Sequence, residues 1–505
     1  VFRRVVDRDA AMVWETTDLP TSIQDVVRVY SNGSVVSETS ASGVVVSNEY
    51  DAIGRLTETR SGGESREVGR IVSYNSKGQV EWEEDLAGNR TTNSYDPESG
   101  LKAAVTDALT NTVHTAYDLQ GRPTNVWGAT YPVAYEYDAY GRMSAMKTWR
   151  DTNGAPDVTH WLYDEASGLL TNKVHADGNG PSYQYDASGR LTVRTWARGV
   201  STDYSYDGLG LLTAIDYSDD TPDVSFTYDR LGRQKTVTDV LGTRTNIYDA
   251  ASLKEERMPD GTTLARSYDT FGRPSGISLG DDYAVGYGYD DYGRLSTVWP
   301  SNSGGRVDYT YMPGSDLLGG WGVSNGPSSA YSYEANRDVR TNVSNLFDST
   351  LMSAFAYSYD PAGCRTQRVD SGAVTNTFGY NVRSELAAAL MGTNQFAYAY
   401  DPIGNRVQAS FNEEINTYWA NGLNQYTNID EGEIALAYDD DGNIATNGPW
   451  RLSWDAENRL VSVGPRVIGG IQDRYYYDYM GRRVKKYTFE WTYPNTGKVN
   501  GKIEY

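Results

Sequence analysis

Aromatic and polar positions alternate along most of this chain, and a short polar string ending in glycine breaks the alternation at regular intervals. Tyr135/Tyr137, Tyr183/Tyr185, Tyr204/Tyr206, Phe226/Tyr228, Tyr287/Tyr289, Tyr309/Tyr311, Tyr357/Tyr359, Phe378/Tyr380, Tyr398/Tyr400 and Tyr475/Tyr477 are ring pairs two residues apart. A period of two places both rings on one face of a β-strand. The alternation resumes after each break, as at Leu191, Val193 and Thr195, so each break predicts a hairpin of two antiparallel strands.

The break reads Tyr-Asp-x-x-Gly, usually followed by Arg. Clean copies begin at Tyr50, Tyr117, Tyr137, Tyr185, Tyr206, Tyr228, Tyr268, Tyr289, Tyr359, Tyr400, Tyr438 and Tyr477. Looser ones begin at Tyr74, Tyr95, Tyr163, Tyr248, Tyr311, Tyr333, Tyr380, Trp419 and Trp454. These twenty-one starts are mostly 19 to 24 residues apart, a period that marks a repeat array rather than independent domains. The structural turn residues are assigned from the clearest copies: Tyr50, Asp51, Gly54 and Arg55; Tyr137, Asp138, Gly141 and Arg142; Tyr185, Asp186, Gly189 and Arg190; Tyr228, Asp229, Gly232 and Arg233; Tyr268, Asp269, Gly272 and Arg273; Tyr289, Asp290, Gly293 and Arg294. The Asp carboxylate can accept backbone N–H bonds inside the turn, and Gly supplies a left-handed position, which together predict a type I turn closed by a glycine bulge. The Arg after Gly is expected beside the turn Asp of its own or a neighbouring unit.

A second turn returns the chain to the next unit, with candidates at Asp85–Thr91, Asp239–Thr245 and Asp260-Gly261. Tyr30-Ser-Asn-Gly33, between Val27/Val29 and Val35/Val36, reads as an earlier hairpin. Subtracting turns leaves roughly eight residues per strand, about 26 Å at ~3.3 Å per residue. Forty-odd strands in one sheet cannot stay flat, because twist accumulates, so the expected fold is all-β, a long spiralling sheet forming part or all of a hollow barrel-like shell. Residues 1–49 are expected to hold opening strands or degenerate repeats, 50–490 the array, and 491–505 a terminal strand cut short before a core region.

Composition supports a wall more than a dry core. The chain has 41 Tyr and 12 Trp beside 9 Phe, so most rings carry a polar tip. With 45 basic and 67 acidic residues the net charge is −22, which disfavours nucleic acid and anionic membrane as partners. Cys364 is the only cysteine, so no internal disulfide forms, and no run approaches the ~18 apolar residues of a membrane span. The chain starts at Val1, which suggests a piece of something longer.

The repeated Tyr-Asp-x-x-Gly-Arg-Leu string, with Ala437–Ile444 (AYDDDGNI) and Ser453–Val463 (SWDAENRLVSV), resembles the YD-repeat or Rhs family, from about Tyr50 to Arg483. That family includes bacterial polymorphic toxins, the shell of insecticidal toxin complexes and the teneurin ectodomains. The resemblance implies a β-cocoon enclosing a linked C-terminal toxin-like polypeptide, a secreted or cell-surface location, and a structural role. No terminal Asp-Pro-x-Gly pair or variable toxin domain follows Gly481 here, so self-cleavage and toxicity do not carry over.

Other chemistry is sparse. Asp360-Pro-Ala-Gly363 and Asp401-Pro-Ile-Gly404 spell the family's cleavage motif but occupy ordinary turn positions. Cys364 with His114, His160 or His175 could be imagined as nucleophile and base, yet no signature surrounds it. Asp219/Asp220, Asp281/Asp282 and Asp439–Asp441 are paired carboxylates of the kind turns collect, and the string Asp439–Asn443 lacks the terminal Glu of a calcium loop. No catalytic, cofactor or metal site is assigned. The expected function is a non-catalytic shell or scaffold, and the alternative is an adhesion or carbohydrate-binding array contacting a cell-surface protein or glycan.

Overall fold

The alternation translates directly into hairpins. The computed structural model describes residues 2–7, 12–17, 26–40, 43–63, 66–301, 305–430, 434–467, 470–490 and 498–504, and these hold 47 strands and no α-helix. Successive strands pair antiparallel along a long sheet, as in Ser201–Tyr206 with Leu212–Tyr217, where Tyr204 faces Ile215. Among the described residues no helix is long and apolar enough to cross a membrane.

Strands are shorter than eight residues in most units. The unit entered at Tyr185 contributes Leu191–Thr195 and Ser201–Tyr206, five and six residues. The reason is that both turns, not one, are five-residue closures: Asp186 N–H reaches Arg190 O at 2.9 Å, and Trp196 N–H reaches Val200 O at the same distance. Val26–Ser31 and Ser34–Thr39 also pair, through a two-residue turn in which Asn32 (φ 50°) and Gly33 (φ 84°) are both left-handed.

The tyrosine face is half-buried in most units, with Tyr268 an exposed exception. Buried apolar residues are few (Val72, Ala145, Val224, Val237, Ala389 and Ala456), and buried polar ones, among them Arg66, Thr202, Arg244, Asp455 and Asp478, outnumber them. Burial therefore follows a single-layer sheet, with alternating patterns such as Val45–Tyr50 (exposed, intermediate, exposed), rather than a two-layer core.

The chain divides into two compact units, residues 1–130 with 266–396 and residues 131–265 with 397–505. In the first, the edge beginning at Arg66 meets a later turn, with Glu67 N–H on Ala335 O at 3.0 Å and Asn336 Nδ2 on Leu86 O at 3.1 Å. In the second, Arg150 Nη1 reaches Ala420 O, Thr221 Oγ1 accepts Ala456 N–H, and Asp239 Oδ2 accepts Tyr479 N–H. Both units thus seat return turns of an earlier stretch on Tyr-Asp turns 235 to 272 residues later.

One unit departs from its spelling. The spelling puts Trp419 at the aromatic start of a repeat, but the turn is closed by Asn421 N–H on Gln425 O, so that place belongs to Ala420, which pairs with Tyr426. Trp419 lies one residue out of phase and is exposed, while Tyr418 and Tyr426 pack on each other at 5.4 Å. At the other aromatic substitution, Trp454 Nε1 donates to Ile444 O at 2.8 Å, where a tyrosine would use its hydroxyl.

Candidate functional site

The recurring constellation is the Tyr-Asp turn, and each consensus residue makes a definable contact in it. Asp51 Oδ1 accepts the backbone N–H groups of Ile53 (3.1 Å) and Arg55 (2.9 Å), and its Oδ2 accepts Arg55 Nε at 2.7 Å. The same three contacts recur at Asp138, Asp229, Asp269 and Asp290. Gly54 N–H closes on Asp51 O with φ 85° at the glycine, which is a type I turn and bulge. Backbone N–H donation from Arg55 and Arg190 holds the Asp51 and Asp186 carboxyls below the usual carboxylate range.

Each Arg pairs with the Asp of its own turn and then stacks on the tyrosine of the next unit. Arg55 lies 4.4 Å from the Tyr74 ring centroid, Arg142 4.3 Å from Tyr163, Arg233 4.2 Å from Tyr248, Arg273 4.2 Å from Tyr289 and Arg294 4.1 Å from Tyr311. That tyrosine in turn donates its hydroxyl backwards, to the carbonyl just after the previous unit's Arg: Tyr74 to Leu56, Tyr163 to Met143, Tyr206 to Leu191, Tyr248 to Gln234 and Tyr311 to Leu295. Backbone pairing between the two strands starts only two residues further on, as at Glu58 opposite Ile71, so the hydroxyl satisfies a carbonyl beyond the ladder. An asparagine two residues before the tyrosine shares this task in some units: Asn48, Asn93 and Asn246 donate to Val35 O, Val80 O and Gln234 O. The string Asn-x-Tyr was its sequence signal.

Several of the remaining candidates make structural contacts. Cys364 N–H donates to Asp360 Oδ1 inside its turn, and Asp401 Oδ1 accepts Ile403 and Asn405 N–H. Asp219 Oδ1 caps Thr221 N–H. His114 stacks on Trp127 with centroids 5.3 Å apart. Among the described residues no group of three His, Cys, Asp or Glu side chains is placed to hold a metal. A cleft of about 480 Å³ in the second unit is lined by Lys173, His175, Trp196, Asn424, Gln425 and Asp441. Burial, then Lys173, lowers the His175 pKa, and burial raises that of Asp441.

Sequence reasoning missed the docked arginines, because nothing local marks them. In the first unit Arg66 pairs with Asp338 and donates to Glu334 O. In the second, Arg198 holds Asp439 (3.3 Å) and Asp441 (2.8 Å), so the string that resembles part of a calcium loop is occupied by a guanidinium.

Residues 185–222 and 206–244 match the family model for the RHS Repeat. Residues 185–244 are Rhs repeats. No curated protein matches it. The chain is similar in fold to solved structures of TcdB2-TccC3-TEV (TM-score 0.65, 14% identity, 98% of this chain and 31% of that one) and TcdB2-TccC3 (0.63, 15%, 98% and 32%). The Photorhabdus luminescens Tc holotoxin pore, with a substituted TccC3, is similar at TM-score 0.62 and 15% identity over 97% of this chain and 32% of that one. The chain spans less than a third of the length of each.

Proposed function

We propose that this chain is a length of structural wall in a secreted Rhs-type shell, enclosing or presenting a linked polypeptide and performing no chemistry itself. The observation that carries the reading is that consensus side chains contact their own turn or the next hairpin, as in the unit at Asp51: Asp on backbone N–H groups, Arg on that Asp and the next ring, Tyr on the preceding carbonyl. Such a unit propagates by nearest-neighbour contact, which fits a structural role. The fold likeness to TcdB2-TccC3 supports the same role, with TccC3 as the kind of polypeptide such a wall accompanies.

The test is protease protection in the full-length parent polypeptide. A linked segment that resists a protease until the Rhs array is denatured fits the proposal, and a segment cleaved as fast as the free peptide refutes it. Exposed Trp127, Trp299, Trp419 and Trp450 favour a second reading, glycan binding by ring stacking. Saturable retention on polysaccharide, lost on replacing these four, would select it.

A further inference from the structure

Near-identical repeats raise a problem of register. Where one stretch of ribbon docks on another, sliding by one unit presents an almost identical series of turns, so the consensus contacts alone do not define a single seating. In the second unit the residue two places after the turn Asp is Tyr140, Leu209, Leu231, Ile403, Leu423 or Met480 in six of the turns. Among that unit's described turns it is acidic in two, and these are consecutive: Asp441 and Glu457.

Both acids meet arginines from one hairpin end, Arg194 in the strand Leu191–Thr195 and Arg198 in the return turn that follows it. Arg198 Nε lies 2.8 Å from Asp441 Oδ2, and its backbone N–H donates to Asp441 Oδ1 at 3.1 Å. Arg194 Nη2 lies 2.9 Å from Glu457 Oε1 and 3.3 Å from Ala456 O, and its guanidinium stacks 4.5 Å from the Trp196 ring, whose Nε1 donates to Ala456 O. The arginine side chains are 15% and 14% exposed, Asp441 0% and Glu457 30%, so both arginines and Asp441 are largely removed from water and depend on their partners.

We infer that Arg194 and Arg198, with Asp441 and Glu457, are the register key of this docked seam. Slid back by one unit, Arg198 would face Leu423, and Glu457 would face no arginine. Slid forward, Arg194 would face Met480. Either slip strands a desolvated charge, a penalty the repeating contacts cannot supply. The key selects the seating, whereas Trp196, Thr221 and the backbone hold it once made.

The test reads seating by disulfide formation in a Cys364→Ser chain refolded from denaturant. Thr221→Cys with Ala456→Cys reports the native seating, since Thr221 Oγ1 and Ala456 N are 2.8 Å apart. Thr221→Cys with Asp440→Cys reports the seating slipped by one unit. With the key intact the native pair dominates. In Arg194→Gln/Arg198→Gln the native-to-slipped ratio falls by about tenfold or more. Leu423→Asp/Glu457→Leu moves the acids one turn earlier and shifts yield to the slipped pair, which a merely structural role for these arginines would not do. An unchanged ratio in this second variant overturns the inference, even if the first fails to fold.

Discussion

Replacing Gly54 by alanine isolates what the turn glycine contributes. Gly54 sits at φ 85° and an added Cβ would meet nothing within 4 Å, so the whole effect is conformational. A left-handed alanine costs about 1–2 kcal/mol. The lower entropy of the unfolded alanine chain offsets about 0.4–1 kcal/mol of that. The net loss of roughly 0.5–1.5 kcal/mol corresponds to a two- to tenfold rise in opening. Asparagine should cost less than alanine, because Asn424 (φ 61°) and Asn458 (φ 56°) fill the same place in native turns. A single melting temperature is a poor reporter for a repeat array, so the assay is native-state hydrogen exchange. Amides of Val45–Tyr50 and Leu56–Gly63 should exchange two- to tenfold faster in Gly54→Ala, less so in Gly54→Asn, with Ser201–Tyr217 unchanged. A silent alanine, or an asparagine as harmful as alanine, would refute the reasoning.

Tyr206→Phe removes the hydroxyl that donates to Leu191 O at 2.8 Å and should cost about 1 kcal/mol, read as faster exchange across Leu191–Tyr206 only. Gly69→Ala places a Cβ 2.1 Å from Thr59 O, a backbone atom of the paired strand, and should open that hairpin by about 1–3 kcal/mol, visible as lost protection at Glu58–Ile71. The Asp51 and Asp186 carboxyls lie below their usual value of 3.8, so their stabilisation is complete above that value and is lost as pH falls through the lowered ones. Hydrogen-bonded turn amides should therefore lose protection first on acidification, and Asp186→Asn should flatten that dependence. Burial, then Glu457, raises the Tyr217 phenol above its usual 10.0, so its contribution is full below that pH and is lost as pH climbs through the higher folded value. Tyr217→Phe should reduce the alkaline sensitivity of Ser201–Tyr217 amides.

How much was legible depended on how far apart the partners stand. The hairpins were readable because their determinants lie within four residues: Asp51, Gly54 and Arg55 each act on the same turn. The partner of each Arg was half readable, its own Asp being adjacent in sequence but the next unit's ring lying about a repeat away, as Tyr248 is from Arg233. Strand length came out too long because the return turns were assigned fewer residues than they use, as at Trp196–Val200. Trp419 was misplaced by one because a large ring was weighted above the Asn421 turn beside it. The docked seam was invisible: Arg198 and Asp441 are 243 residues apart, and only the unusual acids at positions 441 and 457 hinted at it.

The account stands on one sheet, a single strand layer thick, whose hairpins join edge to edge. Electron cryomicroscopy of the parent polypeptide tests this most directly. A wall one strand layer, about 10 Å, thick with strands at ~4.8 Å spacing is the predicted result. A solid, two-layered particle with the tyrosine faces packed against each other would contradict it.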